Sequence, residues 1–201
     1  MKVESAIVDS DSIGDVSRFL SLGDLERELR ELARAPTDRG RVSLIIRRIA
    51  GGRREILDAV EVSTDGGVPG DAWGRRGQRN AEMQIAVMQA DVAKLIANDQ
   101  PLTLFGDNLI LELDLSASNL PAGTRLRVGG ALLEVTPFPH NGCKKFQARF
   151  GADALRFVSM KELRHRNLRG IYMRVVEAGD VRAGDPVQVL TRASLPTAQS
   201  A

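Results

Sequence analysis

Cys143 is the only cysteine of the chain. It stands in the run Pro137-Phe-Pro-His-Asn-Gly-Cys143-Lys-Lys-Phe-Gln-Ala-Arg-Phe-Gly151. A lone thiol makes no internal disulfide, so three roles remain: buried small hydrophobe, nucleophile, or soft metal ligand. Two prolines and a glycine just before it argue against a helix or a central strand and for a loop. Lys144, Lys145 and Arg149 follow closely, and positive charge favours the thiolate, the reactive and metal-binding form.

The other chemistry-bearing side chains are few. There are two histidines in all. His140 is near enough to Cys143 in sequence for a Cys-His pair, which needs an oriented base in contact with the nucleophile; alone, it reads as a loop-capping or solvent-facing residue. His165, in Arg164-His-Arg166, reads as a cation at a helix end. One cysteine and two histidines are too few for a structural zinc site, which normally takes four such ligands. A metal held by one protein thiolate needs its other ligands from a cofactor. Arg75, Arg76 and Arg79 lie in the Gly- and Arg-rich stretch from Asp65 to Asn80, and Arg164, Arg166 and Arg169 at a helix-to-strand junction. Arginine presents a rigid fork of donors that matches phosphate. If these loops converge on Cys143 they form an anion site beside a thiolate; otherwise they are solvated surface.

The elements that position these residues follow from periodicity. The first 40 residues read as helical: Ser21 precedes Leu25, Leu29 and Leu32, and Pro36 ends the run. Strands are expected over Arg41–Ala50 and Glu55–Val62, turning at Gly51-Gly52-Arg53, then over Gln84–Met88 and Leu109–Leu115. Ala90–Ala97 reads as a short helix. Thr124–Val128 and Ala131–Val135 flank Gly129-Gly130, a two-residue hairpin signal. Ala152–Arg166 reads as one helix, and Ile171–Val176 and Val187–Leu190 as strands joined through Ala178–Asp185. The Gly-Asp pairs at 70–71, 106–107, 179–180 and 184–185 all read as turns. Many short strands with Gly-rich turns point to a mainly β protein, an antiparallel barrel or curled sheet with a few short helices.

A chain of 201 residues, 43% hydrophobic and 27% charged, can bury a core without disulfide or metal staples. The net charge of +2 and 4% aromatic content count against nucleic acid as a partner, which calls for a basic stripe and stacking rings. No apolar run approaches the roughly 20 residues of a membrane span. With no export signal and a single cysteine, a cytoplasmic location is expected.

Five segments, in order, resemble the MOSC domain, the C-terminal module of molybdenum cofactor sulfurases: Gly70-Asp71, Phe105-Gly-Asp107-Asn108-Leu109, His140-Asn-Gly-Cys143-Lys-Lys-Phe146, Arg169-Gly170-Ile171-Tyr-Met-Arg-Val175, and Gly179 with Gly184-Asp185. The resemblance implies a MOSC-type β-barrel over residues 41–190, a helical extension over 1–40 and a flexible tail over 191–201. It further implies binding of the molybdenum cofactor, a molybdopterin. Cys143 would be the metal ligand and catalytic residue, and a pterin dithiolene would supply the other sulfurs. Arg75, Arg76, Arg79, Lys144 and Arg169 would contact the pterin phosphate, with Asp107 and Asn108 shaping the pocket wall. In reductase relatives the reaction is reduction of N-hydroxylated or N-oxygenated small molecules, with electrons from a separate reductase. In the sulfurases the matching cysteine handles sulfur, so a Cys143 persulfide fed by a sulfur donor is the alternative. The pyridoxal-phosphate domain of the sulfurases has no counterpart here, and pyridoxal phosphate is not expected to bind. The chain departs from the family with Asp107 for glutamate, and with Asn141-Gly142 where the base-reducing branch tends to carry proline before the cysteine.

Overall fold

Alternating apolar residues build a closed barrel in the computed structural model, which describes residues 7–8 and 13–193. In strand β2 (Arg39–Arg48), Ile45 faces inward and Ile46 outward. In β5 (Ile85–Gln89), Val87 faces in and Met88 out; in β6 (Leu109–Leu111), Leu109 and Leu111 face in and Ile110 out. Successive side chains of a strand point to opposite faces, so a strand apolar throughout feeds two cores at once. One core fills the barrel. The other lies outside it, under helices α1 (Leu22–Glu31), α2 (Ala90–Ala97), α3 (Lys144–Phe150) and α4 (Ala152–Ser159).

The barrel has seven strands. Beside β2, β5 and β6 these are β7 (Arg125–Val128), β8 (Ala131–Val135), β9 (Ile171–Glu177) and β11 (Pro186–Thr191), in the order β2-β11-β7-β8-β9-β5-β6, closed by β6 on β2. All pairings are antiparallel except β5 with β6. Where β2 leaves β11, its free edge takes β3 (Arg54–Leu57), and β1 (Ile7–Val8) pairs with β3. A separate two-stranded sheet joins β4 (Ala59–Val62) to β10 (Gly179–Arg182).

Several expectations change. The run Glu55–Val62 is two strands, broken at Asp58, whose carbonyl accepts from Ala183 N (2.9 Å). The connection from 178 to 185 contains β10. Strand β6 stops at Leu111, because beyond it Asp114 N turns to Pro36 O and Leu115 N to the Gln89 side chain. Of the expected helical start over 1–40, residues 1–6 and 9–12 lie outside the described residues; the described part holds a 3-10 turn at Val16–Arg18 and α1, which Ser21 caps by accepting from Asp24 N. The segment after Cys143 is helix α3 rather than loop; Phe146 and Phe150, four apart, bury one face. The expected helix Ala152–Arg166 divides at Met160, where the backbone turns extended before a 3-10 helix at Lys161–Arg166. Of the tail, residues 194–201 lie outside the described residues.

Gly170 marks where β9 meets β5. Its φ is +92°, and a Cβ there would stand 2.1 Å from Val87 O, a backbone atom of β5. Gly170→Ala should therefore destabilise the chain by about 2–3 kcal/mol, through left-handed strain and overpacking. A urea melt reads it; an unchanged midpoint would contradict the tight approach.

Candidate functional site

The loops that the sequence places far apart do converge. A cavity of about 750 Å³ lies where the end of β2, the start of β3, the loop after Asp71, the Phe105–Asp107 turn, the start of α3 and the start of β9 meet. Cys143 lines it and is exposed, which removes the buried-hydrophobe reading. The thiol occupies the N-cap position of α3 and makes no capping hydrogen bond. Gly142 lets this backbone close on α4: a Cβ would meet Leu155 Cδ1 at 2.4 Å.

Asp107 is the one carboxylate lining the cavity, against the cations Arg48, Arg54, Arg75, Arg76, Lys145, Arg149 and Arg169. A volume so lined selects an anion. Asp107 is fully buried. Its oxygens accept from Arg169 Nη1 at 2.8 and 3.1 Å, and His140 Nε2 lies 3.6 Å away. Burial pushes the Asp107 carboxyl up, against the pull of Arg169. The Arg169 guanidinium also lies over the Phe146 ring at 5.2 Å, and its buried Nε has no hydrogen-bond partner.

His140 corrects the sequence reading. Its side chain is 6% exposed, and its ring packs against Tyr172 with centroids 4.2 Å apart. Burial, then the charges of Arg169 and Arg48, hold its pKa well below the ordinary histidine value, so it is neutral at pH 7. Residues distant in sequence bury it, which no local pattern reveals.

The Gly-Asp turns divide as well. Asp185 behaves as a turn residue, accepting from Arg182 N (2.7 Å), whereas Gly179-Asp180 opens β10. Asp71 is buried and bonded to the guanidinium and amide of Arg48 and to Trp73 N. Burial pushes its carboxyl up, but the Arg48 bonds outweigh this and hold it below its ordinary value. Arg48 was unremarkable in the sequence, being one of two arginines at a strand end; it and Arg54 line the cavity because β2 and β3 turn there.

Of the other residues that the sequence singles out, Arg75 and Arg76 line the cavity. Arg75 also bonds the carbonyls of Gly70 and Arg48, pinning the loop. Arg79 turns away, stacked on Trp73 at 5.3 Å and bonded to Asp65 O. Lys144 is exposed outside the cavity lining, where Lys145 stands instead. Asn108 is buried and ties strands together: its Oδ1 accepts from Ala86 N and Arg48, and its Nδ2 donates to Ile46 O. His165 ends the 3-10 helix Lys161–Arg166, in its basic last turn. Among the described residues no three His, Cys, Asp or Glu side chains are grouped to hold a metal, and no helix is long and apolar enough to cross a membrane.

Tyr172, the only tyrosine of the chain, also lines the cavity. Burial, then Asp107, raises its phenol above the ordinary 10.0. A phenol whose folded pKa is raised takes stability from the native state as pH climbs from the ordinary value through the folded one. Titration followed by phenolate absorbance reads this single group. Its midpoint should lie above that of free tyrosine, and should return to it in urea.

Relatives accord with this architecture. The MOSC domain family model matches residues 71–188. No curated protein matches the chain. Among solved structures, one described as a hypothetical protein aligns with a TM-score of 0.59 at 21% identity, over 82% of this chain and 72% of that one. The YuaD protein from Bacillus subtilis aligns at 0.56 and 18%, over 75% of this chain and 95% of that one. YiiM from Escherichia coli aligns at 0.54 and 21%, over 78% and 71% respectively. At such identities the likeness establishes the fold alone. The family match spans more than half the chain and takes in the Asp107–Arg169 pair and Cys143, and by it the chain belongs to the MOSC domain family.

Proposed function

We propose that the chain binds a molybdenum cofactor in the cavity beside Cys143 and reduces N-oxygenated small molecules there. One observation carries this reading: a single exposed thiol stands at a cavity whose charged lining residues are cationic but for one buried, paired acid. The residues fit such a group. Soft thiolates suit soft metal centres, and a metal there finds one protein ligand, so a sulfur-bearing cofactor must complete its shell. Arg54, Arg75, Arg76 and Lys145 offer donors to an anionic phosphate.

When bound, the cofactor would supply two-electron transfer, with electrons from a separate reductase. The chain's own residues do the rest. Cys143 holds the metal. Asp107 and Phe146 fix the Arg169 guanidinium, so its charge stays at the cavity wall. Tyr172, protonated at pH 7 and facing the same space, keeps a proton available. Neutral His140 adds no charge that would repel the arginines. Metal analysis of the chain purified from cells that make the cofactor tests the reading: molybdenum in stoichiometric amount is expected, and its absence would overturn it.

The exposure of Cys143 also favours a second reading, a persulfide carrier without redox turnover. It predicts a mass increase of one sulfur on the purified chain, lost on reduction, with no molybdenum.

A further inference from the structure

A second concavity, of about 310 Å³, adjoins the first. The two share His140, Asn141 and Arg169, so these residues form part of the wall of both. The smaller pocket exists because α4 ends at Ser159 and the chain runs extended at Met160 before the 3-10 helix begins. Its walls are of two kinds. Val158, Met160 and Leu168 are apolar, while Arg164 and Arg169 are cationic, and no carboxylate lines it. The arginines differ in freedom. Arg169 is fixed by Asp107 and Phe146, whereas Arg164 is exposed and forms no ion pair among the described residues.

We infer that this smaller pocket seats the carboxylate end of a small amphiphilic substrate, whose N-oxygenated end reaches past His140 and Asn141 into the larger cavity. The assignment of the reacting end rests on the proposed function; the binding site does not. A volume at the lower end of the usual range for ligand pockets suits a single ring or a short chain. The apolar wall takes the body of such a molecule. Arg164, engaged by no acid among the described residues, takes its carboxylate through charge-assisted hydrogen bonds, with the Asp107-paired Arg169 adding positive charge behind it.

The test uses the full chain without cofactor. Benzoate and its neutral isostere benzamide are titrated at low salt against wild type, Arg164→Gln and Arg76→Gln, by calorimetry or protein-observed NMR. Benzoate should bind more tightly than benzamide to wild type. Arg164→Gln should weaken benzoate about tenfold, the effect of one lost hydrogen bond to a charged group. Arg76→Gln, in the larger cavity, should weaken benzoate less than Arg164→Gln does. Benzoate held equally by wild type and Arg164→Gln overturns the inference, as does benzoate lost on Arg76→Gln alone, which puts the anion in the larger cavity. With metal-loaded protein and reduced viologen as electron donor, KM for 4-carboxybenzamidoxime should rise about tenfold in Arg164→Gln with kcat retained. A chain that binds benzoate through Arg164 yet reduces no amidoxime overturns the reductase reading and supports the pocket assignment.

Discussion

Cys143→Ala should leave the chain folded and strip it of metal. The thiol is exposed, makes no capping bond and has no hydrogen-bond partner among the described residues, so its loss should move stability by no more than about 0.5 kcal/mol. Metal retention is the opposite case. No three His, Cys, Asp or Glu among the described residues are grouped to hold an ion, and the two other ligating side chains of the cavity are engaged, Asp107 by Arg169 and His140 by packing on Tyr172. Even a residue that only orients a metal ligand typically lowers affinity by about 10–100-fold when replaced, and the ligand itself should matter at least as much. Metal content and thermal melts of wild type and Cys143→Ala, prepared side by side, read both halves. An alanine variant that keeps its molybdenum removes Cys143 from the metal; one that melts early makes the residue structural.

Asp107→Ala carries the largest expected cost to stability. Asp107 is wholly buried and its carboxylate is the acid partner of Arg169, itself 9% exposed. Removing one partner of a buried ion pair leaves the other charge unpaired in a poor solvent, at about 3–5 kcal/mol. Asp107→Asn keeps an acceptor for Arg169 and should cost less than alanine. The urea midpoint reads the order wild type, asparagine, alanine. Equal midpoints for all three would mean that Arg169 finds water or another acceptor, and that Asp107 does not anchor it.

Local signals were legible where neighbours in sequence are neighbours in space. Gly129-Gly130 turns β7 into β8 as expected, and Ala90–Ala97 is the helix its apolar spacing predicts. Strand β10 was not legible: Gly-Asp-Val-Arg offers one apolar residue, and what makes it a strand is β4, far back in the chain. The same holds in the site. Cys143 is conspicuous because it is unique. Asp107 reads as a turn residue until Arg169 is beside it, and His140 as a loop residue until Tyr172 covers its ring. Arg48 and Arg54 look like ordinary strand-end cations, and only the bend between β2 and β3 aims both at the cavity. Phe146 and Phe150, four apart, do signal helix α3, but the prolines before Cys143 signal a loop more strongly.

The seam between β2 and β11 matches Gly40 with Val187. A ribosome makes β2 long before β11, so the barrel cannot close until residue 187 has emerged. Until then β2 carries an unpaired edge, and β5 waits for β9. Pairings between such distant segments form slowly, and open edges invite association with other chains. The cavity draws on Arg48 at one extreme and Tyr172 at the other, so its lining is complete only once residues 48–172 have been made. Any ligand that needs the whole lining must therefore arrive after residue 172 has been made.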